Sequence, residues 1–254
     1  MNQILILNYH SIINSQNSDF IDPIYSIDEI AFIEQLKTIQ KLNVEVILVS
    51  QIKNLKPLNR LYIAITFDDA HESDYLIAFP ILEKFGFKAT FYIPTSILIG
   101  DKLKIEQYQK IISAGHQIGP HGKSHKYLSD LNYIQQFREL KESKEILELI
   151  YKERINYFSL PGGKYNQTTL EISKKIGYFG LLTTQFGLNN IENNSFKLKR
   201  WTIKKNTKTA DFEKILLGNN VKINTLKLKS NLKKVIFKLF SNKLIDIINY
   251  KINR

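Results

Sequence analysis

The sequence predicts an α/β protein in which βα units surround a mainly parallel sheet. Short apolar runs with strand character alternate along the chain with longer segments that have helical spacing, and this alternation is typical of such folds. The chain has 254 residues, is 43% hydrophobic and 24% charged, and is long enough for one large α/β barrel. Polar residues follow several of the predicted strands, as in barrels whose chemistry collects at the C-terminal strand ends.

The predicted elements are justified by their periodicity. Alternating or continuous apolar residues predict strands at Ile4–Asn8, Val44–Val49, Leu61–Phe67, Lys88–Pro94, His116–Gly122 and within "INYFSLPGG". Apolar residues at helical spacing predict helices near Asp28–Leu42, Ser73–Phe85, Ile105–Ala114 and Asp130–Tyr151.

Composition excludes some functional classes. The chain contains no cysteine, so neither disulfides nor thiolate metal sites contribute. The net charge is +12, but the positive residues are mostly scattered lysines without interleaved aromatic residues, and we expect no nucleic-acid partner. The N-terminal "MNQILILNYHSI" lacks the basic region of a signal peptide, and no apolar run is long enough to span a bilayer. A cytoplasmic location is therefore expected.

The C-terminal segment differs from the rest. We place a barrel domain at 1–215 and a basic amphipathic extension at 216–254, where residues 222–254 hold nine basic residues and one acidic residue. One interpretation is peripheral contact of 222–254 with the inner face of a membrane. The other is a helix that packs on the barrel and exposes its lysines to water. The pattern does not separate the two.

Candidate metal ligands follow two of the strands. Asp68 and Asp69 directly follow the predicted strand Leu61–Phe67. Neighbouring carboxylates raise each other's pKa unless a positive charge is close. Alone, such a pair is most often a turn or a helix cap. However, "GHQIGPHGKSH" brings His121 and His125, whose spacing of four predicts two imidazoles on one face of a helical turn. Two imidazoles and a carboxylate suit Zn²⁺ or a similar divalent cation, which would also neutralise the acidic pair.

A third segment, "FSLPGGKYN", follows another predicted strand. Pro-Gly-Gly indicates a tight turn where the backbone can approach a ligand closely. Backbone N–H groups in such a turn could donate to a developing oxyanion. Taken alone, the segment would be an ordinary turn between a strand and a helix.

Together these segments resemble the polysaccharide deacetylase family, the carbohydrate esterases with a NodB-type domain. "ITFDDAHESD", "HGKSH" and "LPGGKYN" resemble its first three motifs, and "LNYHSI" resembles the Tyr-His start of the branch that includes poly-N-acetylglucosamine deacetylases. The resemblance covers roughly residues 4–205. It implies a distorted (β/α)7 barrel that holds one divalent metal ion, with Zn²⁺ as the first candidate. The implied reaction is hydrolysis of the N-acetyl groups of a polysaccharide, an oligosaccharide or a lipid-linked sugar.

The resemblance also implies roles for individual residues. Asp69, His121 and His125 would bind the metal, and Asp68 would be the base that deprotonates the attacking water. The backbone N–H of Gly162 would complete an oxyanion hole.

Two departures from the family pattern matter. Ser159 stands where many members have an arginine that orients the base, and Arg200 in "LKRWTI" is our candidate substitute. The family's late histidine, which protonates the leaving amine, is missing because no histidine follows His125. His10 is our candidate for the general acid, since the first strand of a barrel adjoins the last.

Other interpretations remain open at this point. A carbohydrate O-acetyl esterase would use the same water attack, and a barrel that has lost catalysis would bind glycan or a membrane surface. His71 is expected to be an exposed residue in the first turn of a helix and His116 to be structural. Trp201 is expected either to pack on the barrel or to form a sugar platform.

Overall fold

The structure is a computed structural model that describes residues 3–14, 22–56, 60–190 and 196–217 and the isolated residues 224, 228, 229, 231 and 232. Nearly all of the basic extension, and with it the predicted membrane contact through 222–254, lies outside the described residues. Within the described part, no helix combines the length and the apolar character that crossing a bilayer requires.

The structure contains twelve described strands. They are β1 (Gln3–Tyr9), β2 (Ile12–Ile13), β3 (Ile27–Asp28), β4 (Glu45–Ile47), β5 (Leu61–Phe67), β6 (Ala89–Ile93), β7 (Gln117–Pro120), β8 (Tyr157–Ser159), β9 (Gly180–Leu182), β10 (Asn189–Asn190), β11 (Lys197–Leu198) and β12 (Trp201–Thr202). The described α-helices are α1 (Glu29–Lys41), α2 (Phe79–Phe85), α3 (Lys102–Ser113), α4 (Tyr133–Tyr151), α5 (Gln167–Ile176) and α6 (Thr209–Leu216).

The strands form a curled, mainly parallel barrel wall in two parts. In the larger sheet, β1, β5, β6 and β7 pair in parallel, β4 also pairs with β5, and β10 and β12 pair with β1. A second sheet has the order β11-β9-β8, and all its pairs are parallel. Because β11 and β12 are consecutive in the chain, the second sheet leads back to β1, where Leu7 pairs with Trp201. The predicted distorted barrel is confirmed, and its last strand adjoins its first.

The alternation of side chains in the central strands separates two apolar clusters. On β1 and β5, Ile4, Ile6, Tyr62 and Ala64 belong to a buried cluster inside the barrel, whereas the intervening residues pack under the helices. The inner row continues toward the C-terminal strand ends with polar residues, starting with Asn8. Apolar side chains therefore fill the barrel interior near the N-terminal strand ends, and a layer of buried polar side chains lies toward the C-terminal strand ends.

The predicted helices and strands are largely confirmed, with local differences. Asp28 caps α1 through its side chain, which accepts a hydrogen bond from the N–H of Ile30. The predicted strand Val44–Val49 is shorter, because the chain turns into a 3₁₀-helix at Val49–Asn54. The predicted helix Ser73–Phe85 begins with a π-helical turn, Asp74–Ala78, before α2.

Candidate active site

The centre of the polar layer is the carboxylate of Asp68, which follows β5 and is almost fully buried. Nη1 and Nη2 of Arg200 donate to its two oxygens at 2.9 and 2.8 Å. The Ser159 hydroxyl donates to the same carboxylate at 3.0 Å. Burial alone would raise the pKa of Asp68, but the Arg200 guanidinium outweighs it and lowers the pKa. Asp68 is therefore held as a charged, oriented acceptor.

Asn8 completes this arrangement from the neighbouring strand. Its amide nitrogen donates to Asp68 at 3.2 Å, and its amide oxygen accepts a hydrogen bond from Nη1 of Arg200 at 2.8 Å. The Thr66 hydroxyl approaches the same amide oxygen at 3.2 Å. Asn8 was not among the predicted site residues, although it interrupts an otherwise apolar inward row on β1, and that polar interruption is the signal in the sequence.

Asp69 turns away from this buried layer toward the two imidazoles. Its backbone has a φ of 75°, a left-handed conformation that residues other than glycine adopt rarely. Oδ1 of Asp69 lies 3.2 Å from Nε2 of His121 and 2.9 Å from Nε2 of His125. The consecutive residues Asp68 and Asp69 thus lie in two different environments: Asp68 is in the buried polar layer, and Asp69 is at the rim of the site.

A loop, and not a helical turn, brings the two histidines together. The expectation from their spacing was wrong on this point: His121 follows β7, and no helix covers the residues up to His125, where φ is 58°. Nδ1 of His121 lies 2.9 Å from the carbonyl oxygen of Ser159. Because a carbonyl only accepts, Nδ1 carries a hydrogen, and in the neutral ring Nε2 would then offer its lone pair to a cation beside Asp69.

The three groups fit a divalent cation. One donor atom each from Asp69, His121 and His125 lies within 4.8 Å of the others. Oδ1 of Asp69 is buried and has no hydrogen-bond partner of good geometry in the described part of the chain. The pKa of His121 is raised, because the carboxylates of Asp68 and Asp69 outweigh the lowering effect of burial. The same negative charge attracts a cation, and two imidazoles with one carboxylate are ligands that suit Zn²⁺.

His10 borders the same site from the end of β1. Its Nε2 lies 4.0 Å from Oδ2 of Asp69, and its ring stacks on Tyr25 with centroids 4.7 Å apart. Burial lowers the pKa of His10, although Asp69 and Asp68 oppose this effect. A histidine at the edge of an open site is in a position to donate or accept a proton.

The Pro161–Gly163 turn packs against the histidine loop. Gly162 has a φ of 58°, and a Cβ there would lie 2.6 Å from Cε1 of Tyr127. Glycine is therefore required both for the backbone conformation and for the contact with the Tyr127 ring. The γ-carbon of Pro161 lies 3.6 Å from where a Cβ of Gly122 would stand, which places this turn beside the His121–His125 loop.

An open pocket of about 330 Å³ leads to these groups. Its lining residues are His10, Ser11, Asp22, Tyr25, Asp69, His71, Pro94 and His125. His71 was expected to be an exposed residue of a helix's first turn, but it is half-buried in the pocket wall, because the helix begins only at Asp74. The pocket gives a substrate access to the candidate metal ligands and to His10 together.

Comparisons with known proteins bear on the family and the fold. A sequence model of the family described as polysaccharide deacetylase matches residues 56–180. YxkH of Bacillus subtilis (strain 168), whose name refers to the same family, is 34% identical over 139 residues, which are 54% of this chain and 50% of YxkH. Residues 56–180 belong to the polysaccharide deacetylase family.

Other relatives of this polysaccharide deacetylase family member agree in fold. The Streptococcus pyogenes deacetylase PplD, solved in complex with acetate, has a TM-score of 0.73 and 25% identity, and the match covers 82% of this chain and 95% of PplD. A de-N-acetylase from Aggregatibacter actinomycetemcomitans is 15% identical with a TM-score of 0.71 over 85% of this chain and 99% of that one, which shows the fold alone.

A second curated relative is the peptidoglycan-N-acetylglucosamine deacetylase of Bacillus cereus, 30% identical over 125 residues. The match covers 48% of this chain and 56% of that relative. The chain thus spans about half the length of the curated relatives it matches.

Two further positions can now be placed in this polysaccharide deacetylase fold. His116 is buried, and its ring nitrogens contact the N–H of Ala89 and the carboxylate of Glu83, as expected for a structural residue. Trp201 is 6% exposed and stacks on Phe212 of α6 with centroids 5.5 Å apart, so it packs between the barrel wall and this helix and is not a sugar platform.

Proposed function

We propose that this chain is a metal-dependent hydrolase that removes N-acetyl groups from an N-acetylated sugar. One observation carries the proposal: the donors of Asp69, His121 and His125 lie within 4.8 Å of one another, directly beside the oriented carboxylate of Asp68. A divalent cation held by these three residues would supply Lewis acidity at the acetyl carbonyl and lower the pKa of water.

Asp68 is the proposed general base. Its two oxygens are fixed by Arg200, Ser159 and Asn8, so the carboxylate cannot rotate away from the site. Four donor groups occupy the roughly four lone-pair sites of this carboxylate. A proton taken from the attacking water therefore replaces one of the longer contacts, such as the 3.2 Å hydrogen bond from Asn8. The lowered pKa keeps Asp68 ionised before the reaction.

His10 is the proposed general acid. When the carbon–nitrogen bond breaks, the departing nitrogen requires a proton, because an amide anion is a poor leaving group. His10 borders the pocket on the side of Asp69, and the pairing of β1 with β12 supports its role as a substitute for the late histidine, since the first and last strands of the barrel adjoin there. The products are acetate and a free amine.

The Gly162 turn is the proposed source of the oxyanion contact. Its backbone N–H needs no particular side chain, and the packing of Tyr127 on Gly162 fixes the turn beside the His121–His125 loop. A preorganised donor of this kind stabilises the developing negative charge of the tetrahedral intermediate.

The name of the Bacillus cereus relative favours N-acetylglucosamine as the sugar. The buried pair of Asp68 and Arg200 weighs against a barrel that only binds glycan, since glycan binding alone does not require an oriented, charged carboxylate beside a cation site.

The proposal is tested by acetate release from a panel of acetylated glycans. The panel contains N-acetylglucosamine oligosaccharides, peptidoglycan, a lipid-linked N-acetylated sugar and an O-acetylated polysaccharide. We expect release from at least one N-acetylated member, loss of release with a chelator, and recovery on addition of Zn²⁺. Release only from the O-acetylated member would make the chain an esterase, and release that resists the chelator would contradict a metal-dependent reaction.

A further inference from the structure

The loop that carries His125 is held by contacts from two directions. On one side, the N–H groups of Thr95 and Ser96 donate to the carbonyl oxygens of Gly122 and Lys123 at 3.1 and 2.8 Å. These donors belong to the turn after β6, so the loop carbonyls are tied to the barrel wall. The loop has no regular secondary structure of its own and depends on such contacts for its shape.

On the other side, a side chain from α4 satisfies the loop's N–H groups. Oε2 of Glu139 accepts the N–H of Lys123 at 2.7 Å and that of Ser124 at 2.9 Å, while Oε1 accepts the Ser124 hydroxyl at 2.5 Å. Glu139 is only 8% exposed. Two successive backbone N–H groups on one anionic oxygen form an anion-binding concavity, which here is occupied by the protein's own carboxylate.

Helix α4 holds Glu139 in place. It lies in the second turn of α4, whose N-terminus is capped reciprocally by Asn132 and Gln135, and its own carbonyl accepts the Ser143 hydroxyl at 2.6 Å. The carboxylate also comes within 3.0 Å of where a Cβ of Gly122 would stand, so glycine at 122 leaves room for it. Glu139 and the loop therefore fit each other closely.

The two histidines depend on this support to different degrees. His121 is fixed independently, since its backbone N–H donates to Ile93 at 2.9 Å and its Nδ1 contacts the Ser159 carbonyl. The side chain of His125 is 44% exposed, and its backbone follows directly after the Ser124 N–H that Glu139 holds. The position of the second imidazole is thus set mainly by the loop backbone.

We infer that Glu139 is a positioning residue that sets the cation affinity of the site by fixing the backbone between His121 and His125. Its carboxylate contacts the loop at Lys123 and Ser124, and Glu139 is not one of the three proposed cation ligands. The inference rests on the proposed function, because it assumes that Asp69, His121 and His125 bind a divalent cation. If the cation affinity depends on the loop shape, the hydrogen bonds of Glu139 matter more than its charge.

The test compares Zn²⁺ affinity, measured by competition with a chromophoric chelator, in Glu139→Ala, Glu139→Gln and Glu142→Ala. Glu142 is the matched control, because it lies on the same helix and pairs at 2.7 Å with the Lys123 side chain, not with the loop backbone. We expect Glu139→Ala to weaken binding about 10–100-fold, the usual effect of removing an outer support of a metal site. Glu139→Gln should retain most of the affinity, because its amide oxygen accepts the two N–H groups and its NH₂ donates to Ser124 Oγ. Glu142→Ala should bind as the wild type does.

Further measurements separate positioning from a general loss of stability. The visible spectrum of bound Co²⁺ should change in Glu139→Ala and not in Glu142→Ala, whereas a purely structural role would lower only the unfolding free energy measured in chelator. If Glu139→Ala does not fold, Ser124→Ala replaces it, and binding several-fold weaker than wild type is expected. Wild-type affinity in Glu139→Ala, or in Ser124→Ala where it replaces that variant, would overturn the inference, and so would an equal loss in Glu139→Ala and Glu142→Ala. A wild-type chain that binds no divalent cation would overturn the proposed function as well.

Discussion

Arg200 donates hydrogen bonds to both carboxylate oxygens of Asp68 in a buried ion pair, although 132 residues separate the two in the chain. The two parallel hydrogen bonds orient the carboxylate as well as neutralise it. Nε of Arg200 donates in addition to the Thr183 carbonyl at 3.0 Å, so the guanidinium is fixed to the barrel wall. The ends of β1, β5 and β8 thereby meet around one ion pair.

Replacing Arg200 should cost both stability and activity. Arg200→Ala leaves the Asp68 charge buried without a cationic partner, and breaking such a pair typically costs about 3–5 kcal/mol of unfolding free energy. Arg200→Lys keeps the charge but lacks the planar guanidinium that donates two parallel hydrogen bonds. We therefore expect intermediate stability and a rate of acetate release that is lower by more than roughly tenfold. Urea unfolding and acetate release measure the two effects.

A double-substituted chain provides the control for the Arg200 prediction. In an Asp68→Asn background the buried charge is gone, and Arg200→Ala should then cost clearly less stability than in the wild type. A wild-type rate of acetate release in Arg200→Lys would show that the two parallel hydrogen bonds of the guanidinium are not needed for catalysis.

Much of the fold could be predicted because local periodicity determines it. The strand Leu61–Phe67 has the predicted bounds, and the side chains after it lie where the ends of parallel strands converge. The place of Arg200 could only be guessed, because it lies between the two-residue strands β11 and β12, which are too short to produce a pattern.

Other parts of the site depend on tertiary contacts that the sequence does not display. The inward alternation of β1 predicts that Asn8 faces the barrel interior, but not that it contacts Asp68 and Arg200. The spacing of His121 and His125 fits a helical turn as well as the observed loop. Glu139, on a distant helix, and the positive φ of His125 determine the actual geometry.

Substitution of Asp68 and of Asp69 should affect Zn²⁺ content and activity differently. Asp68→Asn keeps the side-chain shape but cannot take up a proton, so acetate release should fall about 10²–10⁴-fold while Zn²⁺ content stays at the wild-type level. Asp69→Asn removes the anionic ligand beside His121 and His125, so both Zn²⁺ content and activity should fall. Elemental analysis of the purified variants, together with acetate release, distinguishes the two. Normal Zn²⁺ in Asp69→Asn, or a normal rate in Asp68→Asn, would refute the assigned roles.

His10 should affect the rate without affecting the metal. His10→Ala removes the proposed proton donor, and the rate on an N-acetylated sugar should fall about 10²–10⁴-fold with unchanged Zn²⁺ content. Because His10 lines an open pocket, added imidazole should restore part of the rate. The assignment fails if His10→Ala loses the metal or retains the wild-type rate.

His116 should make the folded chain sensitive to acid. Nδ1 accepts the Ala89 N–H at 3.1 Å, so the ring is neutral, and Nε2 donates to Glu83 at 2.9 Å. Burial lowers the pKa of His116 below its ordinary value of 6.5; Glu83 opposes this effect, and Lys88 reinforces it. The rings of Phe79 and Phe91 cover its other sides.

The direction of the pH dependence follows from the lowered pKa. Below 6.5 the unfolded chain binds a proton at this position that the folded chain does not, so the stability contributed by neutral His116 is complete above 6.5 and declines as the pH falls toward the folded pKa. His116→Gln can still accept and donate hydrogen bonds but does not titrate. Urea unfolding at about pH 7.5 and about pH 5.5 should therefore show a smaller loss of unfolding free energy in this variant than in the wild type. His10 and His71 titrate in both chains, so the difference between the two chains isolates His116, and equal losses would mean that the buried ring can be protonated without cost.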